Sequence, residues 1–273
     1  MIKLFSTKRK CKIGLALGSG GAKGVAHIGA IKAFEENGIT FDMVAGTSIG
    51  SIIGACYASD YTAGDMLALL KATDMSEMQR LIMIKMDTTP LERLLERMLG
   101  DITFEELKKP FSCIGTDIST GEGVEFKSGK IIKPITSSCA MPPFFKPVKI
   151  DGKLYCDGAF ANAIPADRLK ARGCDFVVGI DLAQYSEKGK ASAVLDMLSY
   201  KIPNVGNGRK LGYDNADIML QPKLKGYTAT SIDRMGEMFE LGYQIAMEHM
   251  EEIKNRLIKL KVLNKKGKMR KPR

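Results

Sequence analysis

Over the first sixty residues, short wholly apolar runs alternate with glycine-rich turns and stretches of helical periodicity. KIGLALG (12–18) predicts a buried strand, and a glycine cluster follows at 18–24. An apolar-periodic stretch from Val25 to Asn37 predicts a helix, with Gly38 in the position that ends one. FDMVAG (41–46) predicts a second buried strand, which runs through GTSIG into a small-residue helix ending near Ala58. Strand, glycine turn and helix, repeated, is the pattern of a parallel sheet covered on both faces. The fold class expected is therefore α/β, three-layer α/β/α, with a mainly parallel central sheet.

Farther along, residues 62–109 look helical, and Pro90 opens an amphipathic segment that Gly100 ends. Residues 111–118 and 122–127 alternate as a hairpin around Thr120-Gly121. A helix over 131–140 stops at Met141-Pro142-Pro143, and Asp151-Gly152 joins two short strands in VKIDGKLYCDG. FVVGIDL (176–182) and DIMLQP (217–222) predict further strands, and 231–262 one long closing helix. Residues 183–215 show no clear period.

The chain has 273 residues, long enough for one large domain. At 45% apolar and 26% charged residues it has the composition of a globular protein, which excludes disorder and coiled coil as descriptions of the whole. No apolar run reaches the roughly 20 residues of a membrane span, and the basic start lacks the core of a signal peptide, so a cytoplasmic protein is expected. Lys and Arg outnumber Asp and Glu 41 to 31, and ten of the 41 lie in 254–273 without an acid. We divide the chain into an extension (1–11), one domain (12–253) and a basic tail (254–273). The tail is expected to be a frayed, solvated terminus. It is also the candidate for peripheral contact with an anionic membrane at the inner face; no nucleic-acid partner is expected. Six scattered cysteines and two histidines offer no closely spaced metal ligands, so no metal and no cofactor are expected, and the cysteines read as reduced core residues.

Three places carry chemistry. Gly18-Ser19-Gly20-Gly21-Ala22-Lys23-Gly24 lies between a strand and a helix, where glycines can turn main-chain N–H groups toward one spot. Such a loop can hold a phosphate or the oxyanion of acyl transfer. It fails the P-loop pattern because Lys23 precedes Gly24, and it fits a dinucleotide loop only loosely, with no acid ending the second strand. Gly46-Thr47-Ser48-Ile49-Gly50 fits G-x-S-x-G at a strand-to-helix junction, the setting of a nucleophile elbow with Gly46 and Gly50 as its small supports. Ser48 would equally suit a helix cap; an oxyanion-type loop one βα unit earlier tips the reading to catalysis. Neither His27 nor His249 sits at a strand end after the elbow, so the base must be a carboxylate, and Asp157 in Asp157-Gly158-Ala159 is the candidate. Met-rich stretches at 75–86 and 195–202 are candidate walls of an acyl groove.

Together these residues resemble the patatin-like phospholipase family, in its small bacterial branch. The family's G-G-G-x-[KR]-G loop stands here as Ser19 to Gly24, with Ser19 for the first glycine; its elbow is Gly46 to Gly50 and its D-G-[GA] motif Asp157 to Ala159. Asn162, Pro165, Thr89-Pro90-Leu91, Asp117–Gly121, Ser137–Pro143 and Leu241-Gly242-Tyr243 fit as well. The resemblance implies a Ser–Asp dyad: Ser48 attacks a lipid ester, Asp157 accepts its proton, and the backbone N–H groups of Gly20, Gly21, Ala22 and Lys23 hold the oxyanion. Lys23 is expected to anchor the loop. The expected activity is a phospholipase A, lysophospholipase or carboxylesterase. The alternatives are a non-catalytic acyl-lipid-binding regulator on the same fold, or a nucleotide-dependent oxidoreductase using the glycine loop.

Overall fold

The computed structural model describes residues 11–73, 87–183, 202, 203, 208–264 and 266–270. Its centre is a sheet in the order β5-β6-β3-β2-β1-β7-β8, with β4 on the far edge of β3. The strands are β1 (Ile13–Leu17), β2 (Met43–Thr47), β3 (Phe111–Asp117), β4 (Gly123–Phe126), β5 (Val148–Ile150), β6 (Lys153–Asp157), β7 (Phe176–Ile180) and β8 (Ile218–Leu220). β3, β2, β1, β7 and β8 run parallel, while β4, β5 and β6 enter through antiparallel pairs.

Side-chain alternation along these strands explains why both faces are covered. Ile13, Leu15 and Leu17 of β1, Val44 of β2, and Phe176, Val178 and Ile180 of β7 point into the larger core. That core is filled by α1 (Val25–Glu36), α2 (Ile49–Ala58), α3 (Ala63–Ala72), α4 (Thr89–Leu99), α5 (Ile132–Ser138), α8 (Met235–Glu248) and α9 (Met250–Lys259). The intervening Ala16, Met43, Ala45 and Val177 face a smaller core under α6 (Ala166–Ala171) and α7 (Gly208–Asn215). Period-2 strands buried on both sides read as continuous apolar runs, which is how 12–18 and 176–182 looked in the sequence. The architecture is the expected three-layer α/β/α, with a mainly parallel sheet.

Local signals fall where the residues demand them. Gly38 has φ +65°, and its N–H and that of Ile39 donate to the Glu35 and Phe34 carbonyls, closing α1. Asp151 and Gly152 both have positive φ, as a two-residue hairpin turn requires. Three expectations differ. The helical region 62–109 holds α3 and α4, with residues 74–86 outside the described part. The aperiodic 183–215 contains α7. The closing helix is broken at His249, whose ring Nδ1 lies 3.0 Å from the Ile245 carbonyl and so competes with its own backbone N–H, 3.3 Å from the same oxygen.

The expected boundary at 253/254 falls inside α9, because Met250, Ile253 and Leu257 bury one helical face on either side of it. Val262 and Leu263, beyond the helix, also lie in the main core, so 254–264 is packed rather than frayed. All six cysteines are free thiols, five of them buried. Among the described residues, no helix is long and apolar enough to cross a membrane.

Candidate active site

Strand β3 brings the site together. Its first half, Phe111 to Ile114, pairs with β2, and its second half, Gly115 to Asp117, pairs with β6. β4 covers Cys113 to Thr116 and so must take the opposite edge. β2 and β6 therefore share one edge of β3, running toward each other, and their carboxyl ends meet at the Ile114-Gly115 step. Thr47 and Asp157 are the residues that meet there. Two segments 109 residues apart thus deliver Ser48 and Asp157 to one point. The approach leaves no room for side chains: a Cβ on Gly158 would run into the Ile114 carbonyl.

Ser48 follows β2 at φ 56°, ψ −127°, a conformation that costs a non-glycine residue on the order of 1–3 kcal/mol. The turn is tight enough that a Cβ on Gly46 would strike the Gly50 carbonyl, and one on Gly50 the Leu17 carbonyl. The Ser48 hydroxyl donates to Asp157 Oδ2 at 2.7 Å. Its side chain makes no cap bond to α2, so the helix-cap reading fails. The second carboxylate oxygen, Oδ1, accepts the Ala159 N–H at 2.8 Å.

Asp157 is 1% exposed. Burial pushes its carboxyl up from the ordinary 3.8 to about 7, against the opposing pull of the Ser48 and Ala159 hydrogen bonds. A carboxylate of that basicity is far better matched to a serine hydroxyl than a solvated aspartate.

A tripeptide at the end of α5 holds the backbones of both residues in place. Ser138 Oγ accepts the Ser48 N–H at 2.8 Å, and the Ala140 carbonyl accepts the Asp157 N–H at 3.0 Å. Between them, the buried Cys139 thiol lies 3.8 Å from Ser51 Oγ, and burial raises its pKa far above the ordinary thiol value. Ser51 Oγ in turn donates to the Ser48 carbonyl at 2.6 Å. Sequence reasoning matched the Ser137–Pro143 segment to a family pattern without giving it a role. Its signal was a run of small polar residues ending a helix, which says nothing about what they touch.

The glycine loop lies against the elbow: a Cβ on Gly24 would collide with the Ile49 side chain. Gly18 N–H donates to the Ile180 carbonyl and Ser19 N–H to the Ala163 carbonyl, both at 3.0 Å. Four oxyanion donors were expected, and the structure engages two of them elsewhere. Ala22 N–H donates to the Ala229 carbonyl at 2.8 Å, and Lys23 N–H to the Gly20 carbonyl at 3.3 Å, because residues Gly21–Gly24 coil into a 3-10 turn. The N–H groups of Gly20 and Gly21 donate to no carbonyl among the described residues.

His27 is fully buried, with Nε2 2.8 Å from the Gly18 carbonyl. Burial lowers its pKa to about 4, so it is neutral and holds the loop from behind. Lys23 is half-buried with Nζ 3.5 Å from the Leu182 carbonyl. Desolvation first, then the nearby Arg209, lowers its pKa, while Asp181 opposes them. Buried Asp181 accepts from the half-buried Arg209 and Tyr213, a network behind the loop that no sequence motif announced. His249 lies at the α8–α9 break, away from this chemistry. The candidate groove segments 75–86 and 195–201 lie outside the described residues.

A strained serine at a strand-to-helix turn, a buried carboxylate on its hydroxyl and a glycine loop beside it form one candidate site on a three-layer fold. The patatin-like phospholipase family model matches residues 15–170, more than half of the chain, and the chain belongs to that family. It is 25% identical over 280 residues to the lysophospholipase nte1 of Aspergillus fumigatus, covering 89% of this chain and 18% of that protein. It is 30% identical over 185 residues to the lysophospholipase NTE1 of Candida glabrata, covering 64% and 11%. The chain thus spans less than a fifth of the length of these relatives. Among solved structures, VipD from Legionella pneumophila shares the fold with a TM-score of 0.52 at 14% identity, covering 88% of this chain and 67% of that one.

Proposed function

We propose that the chain is a serine hydrolase of fatty-acyl esters that works through a Ser48–Asp157 dyad. The observation that carries this reading is the 2.7 Å bond from the Ser48 hydroxyl to a carboxylate raised to about 7. Ser48 Oγ attacks the ester carbonyl as its proton passes to Asp157 Oδ2. The Gly20 and Gly21 N–H groups receive the oxyanion. Collapse of the tetrahedral intermediate expels the alcohol, which takes the proton from Asp157, and leaves an acyl-Ser48 ester. Water then attacks that ester, giving its proton to Asp157, and the proton returns to Ser48 as the fatty acid leaves.

Relatives named lysophospholipases support a lysophospholipid or phospholipid substrate. The basic C-terminal segment is the weaker candidate for membrane contact, since charge is all it offers and α9 turns its apolar face into the core.

Hydrolysis of a p-nitrophenyl ester tests the dyad. Turnover is expected to fall at least about a thousandfold in both Ser48→Ala and Asp157→Asn, with fluorophosphonate labelling lost in Ser48→Ala. The wild-type kcat/KM is expected to rise with pH through about 7 as Asp157 ionises. Full activity in either variant would show that another group attacks, and an inactive wild type would favour the lipid-binding regulator.

A further inference from the structure

Among the described residues, four large apolar side chains stand well out in solvent: Phe144, Leu154, Leu211 and Met247. Two of them, Phe144 at 49% and Leu154 at 48%, lie on the stretch of chain that leads into Asp157. Phe144 sits in a turn closed by the Phe145 N–H on the Met141 carbonyl, and that turn directly follows Ala140, which holds the Asp157 backbone. Leu154 is three residues before Asp157 on β6.

The register says where this stretch stands. β2 ends opposite Ile114, whereas β6 pairs from Gly115 to Asp117 and starts two residues farther on. The β5–β6 hairpin therefore rises beyond the carboxyl ends of the parallel strands, the side on which an α/β sheet opens to ligands. It stands as a wall whose base, Asp157, meets Ser48. Leu154 and Cys156, two apart, share one face of β6. Met141, which opens the Phe144 turn, packs against the cluster of Cys156, Phe160 and Ile202.

The wall is also basic. Lys149 lies directly opposite Leu154 on the same face, and Lys146, Lys149 and Lys153 are all exposed, Lys153 at 68%. The acids near them are Asp151 at the hairpin tip and the buried Asp117, 3.8 Å from Lys153 Nζ. Positive charge is left over. A second copy of the same basic wall would be repelled, whereas an anionic lipid surface satisfies both features: apolar side chains enter the acyl boundary and lysines meet phosphates.

We propose that the rim formed by Phe144, Lys146 and the hairpin tip, with Leu154 and Lys149 on one face and Lys153 on the other, is where this protein rests on an anionic phospholipid bilayer, presenting the ester to Ser48. The proposal rests on the lipid-hydrolase reading and names where its substrate arrives.

Co-sedimentation of the full chain with phosphatidylcholine vesicles, with and without phosphatidylglycerol, tests it. The pair Phe144→Ser and Leu154→Ser is expected to lower partition at least about tenfold. The triple change Lys146→Gln, Lys149→Gln and Lys153→Gln is expected to remove the preference for phosphatidylglycerol and its salt dependence. Both variants should keep wild-type turnover of a soluble short-chain ester, and Lys266→Gln with Lys268→Gln in the C-terminal segment should change neither. Rim variants that bind as the wild type does would overturn the proposal. So would a wild type that ignores anionic vesicles, or one that dimerises through this face by light scattering. Soluble-ester turnover reads the hydrolase assignment separately: its absence would sink that reading while the vesicle arm still scores the rim.

Discussion

At the residue scale, the reactivity proposed for this site would come from holding two side chains against their own preferences. Ser48 keeps an unfavourable φ, and Asp157 keeps a carboxylate away from water; neither arrangement persists unless neighbours enforce it. Ser138 is the neighbour that can be removed most cleanly. In Ser138→Ala the Ser48 N–H loses its 2.8 Å acceptor, and an unsatisfied buried donor costs about 1–3 kcal/mol. Because that donor belongs to the proposed nucleophile, we expect kcat to fall at least about tenfold while KM changes little. Thermal denaturation and steady-state ester kinetics would check both. A variant that loses stability but keeps full kcat would show that Ser138 supports the fold and not the alignment of Ser48. Cys139, one residue on, is buried, and that burial raises its thiol above the ordinary value.

At the scale of elements, glycines decide how closely the layers approach. α1 crosses α8 at two of them: a Cβ on Gly29 would enter the Phe239 carbonyl, and one on Gly242 the Ala26 carbonyl. Gly242→Ala must push the helices apart, and overpacking of this kind typically costs about 1–3 kcal/mol. Since α1 also carries His27 behind the glycine loop, ester activity at a temperature well below the melting point should fall with stability. A lower Tm with unchanged activity would show that the loop tolerates movement of α1. The same use of glycine explains which elements the sequence made legible. β1, β2, β7 and the Asp151-Gly152 hairpin showed through because burial and turn chemistry act locally. α7 did not, since its Gly208 and Gly212 resemble loop composition. In the fold they are contact points, where a Cβ would meet the backbones of Ala161 and Ile164. Ser48 and Asp157 were legible as motif residues, but their meeting was not, because it depends on β2 and β6 sharing one edge of β3. The engagement of the Ala22 N–H was hidden for a like reason, as its acceptor Ala229 lies over two hundred residues away.

At the scale of the whole molecule, two buried titratable groups set opposing pH dependences of stability. His27 falls from 6.5 to about 4 on burial, so the unfolded chain binds its proton more readily. Its contribution is present above 6.5 and is lost as pH drops through about 4, on the order of 3 kcal/mol in all. Asp157 rises from 3.8 to about 7, so in that window the native state holds a proton the unfolded chain has released. Its contribution is present below about 4 and is lost as pH rises through about 7, on the order of 4 kcal/mol. The two nearly offset each other in the wild type. Asp157→Asn removes the second and exposes the first, while the Asn carbonyl can still accept the Ala159 N–H. Urea denaturation of both proteins from pH 4.5 to 7.5 should then show the variant gaining on the wild type as pH rises. The difference should be small at the acid end and reach several kcal/mol above pH 7, in a protein that no longer turns over ester. A difference that stays flat across this range would mean that ionised Asp157 costs the fold little. Its basicity would then need a source other than burial, and the link between instability at this position and reactivity at Ser48 would be broken.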